Sequence, residues 1–213
     1  MKFWSDSFND GGYIPGEFAF GVMDPVTHIT LSANKNPHMA WSDVPANAKS
    51  LVLICHDPDV PSRGDDVNQE GKTVPPDLPR VDFFHWVLID LPSNALVIEV
   101  GELSDGVTPH GKPGPEIDKR PGVRQGINDY TGWFADDPKM TGDYYGYDGP
   151  CPPWNDSIIH RYVFTLYALD VARVPVEGRF TGTQVRAAIQ DNILAEAKIV
   201  GIYTLNPAMA RLT

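Results

Sequence analysis

Residues 51–61 read LVLICHDPDVP, an unbroken apolar run that passes directly into a segment with two aspartates and two prolines. The first five residues are branched or small and apolar, which favours a β-strand buried on both faces. Proline restricts its own backbone and that of the preceding residue, so the DPDVP segment predicts a stiff loop after the strand. We also expect a cis bond at Val60–Pro61, because such bonds occur in tight turns.

Three further runs have the length and composition of strands: 83–91 (FFHWVLIDL), 162–169 (YVFTLYAL) and 199–205 (IVGIYTL). Strict alternation in the first of them predicts His85, Val87 and Ile89 on one face, and Phe84, Trp86 and Leu88 on the other.

One helix is predicted between the last two of these strands. Its amino-terminal cap is Thr181 or Thr183, both of which can accept a backbone hydrogen bond through the hydroxyl. Its buried face is an apolar stripe at helical spacing, formed by Val185, Ile189, Ile193 and Leu194.

Length, net charge, hydropathy and cysteine count limit the classes of protein to which the chain can belong. The 213 residues suffice for one domain spanning 1–213, and a net charge of -11 opposes binding to nucleic acid. No apolar run approaches the roughly 20 residues of a transmembrane helix, and no secretory leader is recognised. Two cysteines are too few for a disulfide framework, which predicts a reducing compartment and hence a cytoplasmic location.

Two stretches have no usable periodicity, at about 62–82 and about 104–148. The first is rich in charge, and the second is crowded with glycine, proline, aspartate and aromatic residues. Loops of this length in a compact domain are usually functional or disordered. Because each adjoins a segment with candidate site residues, we predict that the first stretch and part of the second flank the mouth of a pocket and set ligand access.

Three sequence motifs in fixed order carry a family resemblance: HDPDVP at 56–61, FFHWV at 83–87 and GPCPPWNDSIIHRYVFTLYALD at 149–170. Together they resemble the phosphatidylethanolamine-binding protein family, in its bacterial Raf kinase inhibitor-like branch. The resemblance implies a mainly β fold in which a large antiparallel sheet packs on a smaller antiparallel sheet, with a few peripheral helices.

The resemblance also implies a ligand pocket, with no catalytic residues, metal or cofactor. Its residues are Asp57, Asp59, Pro61, His85, Pro152, Pro153, His160 and Tyr162. Strand alternation supports part of this set, because it places His160 and Tyr162 on one face and Arg161 on the other. One of Asp57 or Asp59 is expected to accept from one ring nitrogen of a histidine and leave the other to donate to an anion.

A binding protein is therefore the leading hypothesis, with a phosphate, sulfate or phospholipid headgroup as ligand and a protein partner such as a kinase implied by the resemblance. A homodimer is left open. One alternative is a hydrolase-type enzyme that uses His85, His160 and Asp57 as acid, base and orienting group. Another is a metal protein with two histidines and one carboxylate as ligands. The enzyme is less favoured, because the sequence lacks a Gly-x-Ser-x-Gly elbow, a P-loop and a zincin helix.

Overall fold

The computed structural model describes residues 1–210. Its twelve strands are β1 Lys2–Trp4, β2 Gly21–Asp24, β3 His28–Leu31, β4 Met39–Ser42, β5 Ser50–Pro61, β6 Arg80–Pro92, β7 Val97–Ile98, β8 Gly111–Lys112, β9 Arg124–Gln125, β10 Asp143–Tyr144, β11 His160–Leu169 and β12 Ile193–Tyr203. The α-helices are α1 Tyr130–Trp133, α2 Gly182–Ile189 and α3 Pro207–Ala210, and short 3-10 turns occur at Gly16–Phe18 and Gln190–Asn192. No helix within residues 1–210 is long and apolar enough to span a bilayer.

The large sheet has five antiparallel strands in the order β12-β11-β5-β6-β9. All four predicted strand runs fall in it, although the run 199–205 extends two residues beyond β12, which ends at Tyr203. The run 51–55 is buried on both faces, as its composition predicts: Leu51 and Leu53 lie in one apolar cluster, and Val52 and Ile54 lie in another. The strand that begins there is the central one of the sheet.

The smaller sheet is antiparallel, with the order β1-β4-β7. It packs on one face of the large sheet, and Phe3, Trp41 and Ile98 share a core with Leu53 and Phe164 of the large sheet. The predicted fold class is therefore confirmed: the chain is mainly β, two antiparallel sheets pack together, and the helices are few and short.

Helix α2 covers the opposite face of the large sheet. Its amino-terminal cap is Thr181, whose hydroxyl accepts from the backbone of Gln184, while the Gln184 side chain accepts from the Thr181 backbone. Val185 and Ile189 are buried against this face as predicted. The predicted stripe is too long, however, because Ile193 and Leu194 already belong to β12, where Ile193 pairs with Leu169 of β11.

The predicted alternation along β6 holds from Trp86 to Ile89 but is wrong for Phe84 and His85. Cys55 pairs with Trp86 whereas His56 pairs with Phe84, so β6 contains one extra residue at His85. This bulge brings Phe84 onto the same face as Val87 and Ile89. Trp86 and Leu88 lie on the opposite face, which is the side on which the His85 ring meets Tyr162.

The DPDVP segment is the end of a strand rather than a loop. It forms the last five residues of β5, where Val60 pairs with Val81 and Pro61 pairs with Arg80. The predicted cis bond at Val60–Pro61 is wrong, because an extended, paired strand end accommodates the trans form. The cis bond found among the described residues is Gly114–Pro115.

Candidate functional site

A cavity of about 420 Å³ opens at the end of the three central strands. Seven of the eight predicted site residues line it: Asp57, Pro61, His85, Pro152, Pro153, His160 and Tyr162. Strand register explains why they converge. Asp57, near the end of β5, is opposite Phe83 near the start of β6, and β11 begins at the same edge of the sheet.

His160 is held between two carboxylates at the buried end of the cavity. Its Nδ1 lies 2.7 Å from Asp57 Oδ2, and its Nε2 lies 3.0 Å from Asp156 Oδ2. Burial lowers the pKa of His160, but the hydrogen bonds to Asp156 and Asp57 outweigh burial and raise it to about 9. The ring is thus an imidazolium whose two N–H groups both donate to protein. The expectation that one ring nitrogen stays available for a ligand is wrong for this histidine.

Asp156 is the functional residue that sequence reasoning missed. It is fully buried, and it accepts two hydrogen bonds from Arg80, at 2.6 Å from Nη1 and 3.1 Å from Nη2. Burial opposes ionisation, but the bonds from His160 and Arg80 keep the pKa of Asp156 below its usual value. In the sequence it stands in an irregular segment before β11, where an aspartate is typical of turns and carries no other signal.

Asp59 does not line the cavity. Its carboxylate accepts from the Arg161 side chain, at 2.8 Å from Nε and 2.7 Å from Nη2, and from the Arg161 backbone at 2.9 Å. The register of β5 shifts between Asp57 and Val60, so Asp59 does not follow Asp57 into the cavity. As alternation predicts, Arg161 points away from the cavity, and its role is an ion pair.

One ring nitrogen of His85, Nδ1, is hydrogen-bonded to the protein, whereas the other, Nε2, has no hydrogen-bond partner in the described part of the chain. Nδ1 lies 2.8 Å from the backbone oxygen of Asp148, so Nδ1 donates. The Asp148 carboxylate is fixed in turn by Asn34 Nδ2 at 2.7 Å, by Asn128 Nδ2 at 2.7 Å and by Lys112 Nζ at 3.0 Å. Burial lowers the pKa of His85, although Asp57 partly offsets this effect. The ring is therefore neutral near pH 7.

At the floor of the cavity, which Asp57, His85, His160 and Tyr162 form, two polar side-chain atoms have no hydrogen-bond partner within residues 1–210. They are His85 Nε2 and the hydroxyl oxygen of Tyr162, and neither is sealed off from the cavity. The rings of these two residues meet edge to face at 5.1 Å between centroids. They form the part of the floor at which a ligand can make hydrogen bonds.

The rest of the cavity is largely apolar. Its side walls are lined by Phe20, Ile29, Leu31, Val60, Phe83, Tyr130, Trp133 and Phe134. The first long stretch, residues 62–79 between β5 and β6, contributes Ser62, Arg63, Gly64, Val67 and Asn68 to the lining. Both long stretches thus lie beside the cavity, as their positions in the sequence predict.

Asn155 holds the first long stretch beside the cavity through side-chain hydrogen bonds. Its amide nitrogen lies 2.8 Å from the Asp66 carbonyl, 3.3 Å from the Gln69 carbonyl and 3.2 Å from the Lys72 carbonyl. Its amide oxygen accepts from the Asn68 backbone at 3.0 Å. One buried side chain therefore holds three backbone carbonyls and one backbone amide of this segment.

The geometry opposes the role that both alternative hypotheses give to His160. His160 has no lone pair to offer a metal, because both nitrogens donate to carboxylates, and no group of His, Cys, Asp or Glu in the described part of the chain is arranged to hold an ion. For the same reason His160 cannot act as a general base on a substrate. Cys151 lines the cavity, but burial raises the pKa of its thiol to about 12, which leaves it protonated.

Comparisons with known proteins agree with this fold. The family model for "Phosphatidylethanolamine-binding protein" matches residues 4–204. UPF0098 protein YbhB of Escherichia coli is 29% identical over 96% of this chain and 100% of its own length. A UPF0098 protein of Methanothermobacter thermautotrophicus is 31% identical over 95% of this chain and 98% of its own.

Two solved structures are similar as well. One, from Chlamydia trachomatis, is described as a phosphatidylethanolamine-binding protein homologue; it is 27% identical, has a TM-score of 0.62 and covers 94% of this chain and 95% of its own. The other is YbcL of Escherichia coli, which is 24% identical with a TM-score of 0.65 and covers 95% of this chain and 97% of its own. The second comparison bears on the fold alone.

Proposed function

Because this chain belongs to the phosphatidylethanolamine-binding protein family, we propose that it binds a small molecule through an oxyanion head such as a phosphate or sulfate. The head lies on the floor of the cavity, where the Tyr162 hydroxyl can donate to it and His85 Nε2 is within the same open space. The remainder of the ligand lies against the aromatic walls.

The observation that carries this proposal is the contrast between the floor and the walls of one cavity. A few convergent polar groups at the end of a largely apolar pocket are typical of sites that orient one end of a small ligand. The walls include Phe20, Tyr130 and Phe134, whose rings stack on one another at 4.5 Å and 5.5 Å between centroids. A ring or short alkyl chain attached to the head fits such a surface.

We propose binding rather than catalysis, because His160 and Asp57, two of the three groups in the enzyme hypothesis, are hydrogen-bonded to each other. A kinase or other protein partner stays a prediction. The natural ligand stays open among a phosphate, a sulfate and a phospholipid headgroup. Native mass spectrometry of freshly purified protein would report a co-purifying ligand directly, and its mass would separate a lipid from a free phosphate ester.

Calorimetric titration with phenyl phosphate tests the proposal. We expect Tyr162→Phe to weaken binding about 10- to 100-fold, because a hydrogen bond to a charged group contributes about 1.5–3 kcal/mol. Tyr167→Phe is the matched control, since Tyr167 lies on the same strand and packs on the opposite face of the sheet. Undetectable binding of phenyl phosphate, or equal losses in the two variants, would contradict the proposal.

A further inference from the structure

Neither histidine of the cavity offers an N–H to a ligand in its resting state. The two N–H groups of His160 are held by Asp57 and Asp156, and Arg80 fixes Asp156 in place through two bonds. In His85 the Nδ1 proton is held by the Asp148 carbonyl, which can only accept. The second nitrogen of a neutral imidazole carries a lone pair, so His85 Nε2 presents an acceptor to the cavity.

An oxyanion oxygen is itself an acceptor, so it cannot form a hydrogen bond with that lone pair. The Tyr162 hydroxyl is then the one donor on this part of the floor. Resting on the proposed function, we infer that the cavity binds its oxyanion together with one proton, shared between His85 Nε2 and a ligand oxygen. The proton comes from solvent onto His85, or it arrives on the ligand when the ligand is a monoprotonated phosphate ester.

The surroundings of His85 favour this coupling. Burial lowers the pKa of His85 in the free protein, so the ring takes up its second proton only when the ligand stabilises it. Titratable groups face or border the ring from every element that packs around it: Asp57 and His56 of β5, His160 and Tyr162 of β11, Tyr130 of α1, and Asp148 of the following loop. Among these groups, Asp57 is ion-paired with His160, and Asp148 is ion-paired with Lys112. The charges that ligand binding adds beside the ring are therefore those of the ligand and its proton.

The consequence for the ligand class is specific. The site is suited to an oxyanion that shares one proton, such as a phosphate monoester in its monoprotonated form, and it disfavours a dianion bound without a proton. Because the complex holds one proton more than its separated parts at alkaline pH, affinity falls as pH rises, by up to about tenfold per pH unit. Below the pKa of the free His85 the proton is already present, and affinity levels off.

Titration calorimetry in two buffers of different ionisation enthalpy measures the proton directly. We expect uptake of about one proton when phenyl phosphate binds at pH 8, and an affinity about tenfold weaker at pH 8.5 than at pH 7.5. Phenyl sulfate separates the two sources of the proton, because it stays a monoanion throughout this range. Uptake of about one proton with phenyl sulfate shows that His85 accepts it, whereas uptake with the phosphate alone shows that the ligand carries it.

Variants identify the group. His85→Gln carries an amide N–H that does not titrate, so we expect this variant to bind phenyl sulfate without proton uptake and with an affinity that does not change from pH 6 to 8.5. His56→Gln is the control: His56 lies on the neighbouring strand beside Phe84, outside the cavity lining, and its replacement leaves the uptake in place. Binding of both ligands with zero uptake by the native protein overturns the inference but leaves the proposed function standing. If His85→Gln still takes up a proton when phenyl sulfate binds, the assignment to His85 is overturned. Failure of both ligands to bind at any pH overturns both proposals.

Discussion

The charges at the cavity floor are neutralised within the protein. Asp57, His160, Asp156 and Arg80 form a continuous chain of hydrogen-bonded ions whose formal charges sum to zero. Such a chain is costly to disturb, because removal of one member leaves a buried charge without its partner. Its role at the scale of single residues is therefore to fix the shape of the floor, while His85 and Tyr162 are the residues that can respond to a ligand.

The first prediction concerns Asp156→Asn. The folded pKa of His160, about 9, lies above the ordinary value of 6.5, so its contribution to stability is complete below about 6.5 and is lost as pH rises through 9. The free energy of unfolding of the native protein should decline over this window, by at most about 1.4 kcal/mol per pH unit. Asp156→Asn removes one of the two carboxylates, so the decline becomes shallower, and Arg80 without its partner costs about 3–5 kcal/mol at pH 7. Urea denaturation at pH 6.5, 7.5 and 9 measures both effects.

Asp59→Asn is the matched control for that experiment. It also removes a carboxylate from an arginine, but the Arg161 side chain is 58% exposed, so solvent compensates for much of the loss. We expect a loss of about 1 kcal/mol or less, with the native decline between pH 6.5 and 9 retained. An identical pH profile in Asp156→Asn and the native protein would contradict the role assigned to Asp156.

The face on which a side chain lies could be predicted from the sequence where the strand is regular. Alternation suffices for His160, Tyr162 and Arg161, since β11 is regular at its start. It could not separate Asp57 from Asp59, because two residues apart on a regular strand lie on one face and only the shifted register separates them. Asp156 had no periodic context at all.

At the scale of elements, the cap of α2 provides a clean comparison of two threonines. The sequence offered Thr181 and Thr183 as caps, and the structure assigns the role to Thr181. We expect Thr181→Ala to lower the free energy of unfolding by about 1 kcal/mol, because it removes the acceptor for an amide at the first turn. Thr183→Ala, at an exposed position inside the helix, should stay within about 0.5 kcal/mol of the native protein. Equal effects in chemical denaturation would show that the cap does not stabilise the helix.

A second element-scale prediction concerns the segment 62–79. Asn155→Ala removes the amide that holds three of its carbonyls, so we expect faster amide hydrogen exchange over residues 64–74. Ligand dissociation should also become faster, because Val67 and Asn68 line the cavity. Asn192→Ala is the control, since Asn192 bonds to Asp170 at the far end of β11. Unchanged exchange in Asn155→Ala would show that other contacts hold the segment.

Elements were predictable in proportion to the length of their apolar runs. The central strands have long runs of branched and aromatic residues, and their existence and type were clear. The bulge at His85 was not visible, because one inserted residue changes which side chains share a face without changing composition. The end of α2 was also misplaced, since Ile193 and Leu194 continue the helical spacing although the chain has entered β12.

At the scale of the whole molecule, the smaller sheet is the part that sequence reasoning left undefined. Its strands β1, β4 and β7 have between two and four residues each, too few to show a period. They are determined by what they cover: Phe3, Met39 and Trp41 are buried against the large sheet. The family resemblance implied this sheet, whereas the residues alone did not.

The shared core leads to the last prediction, that the chain unfolds as one cooperative unit, as expected of a single domain over 1–213. Trp41 belongs to the smaller sheet and Trp86 to the large one, yet both lie fully buried in one apolar cluster. Trp41→Ala should therefore destabilise both sheets together, by about 3–5 kcal/mol, which lowers Tm by roughly 6–20 °C for a chain of this size. Trp4→Ala, at a residue 41% exposed on β1, is the control and should cost far less. Calorimetry checks the cooperativity through equal calorimetric and van't Hoff enthalpies, and far-UV circular dichroism should give the same midpoint. Two resolved transitions, with Trp41→Ala shifting only the lower one, would mean that the smaller sheet folds independently of the sheet that carries the cavity.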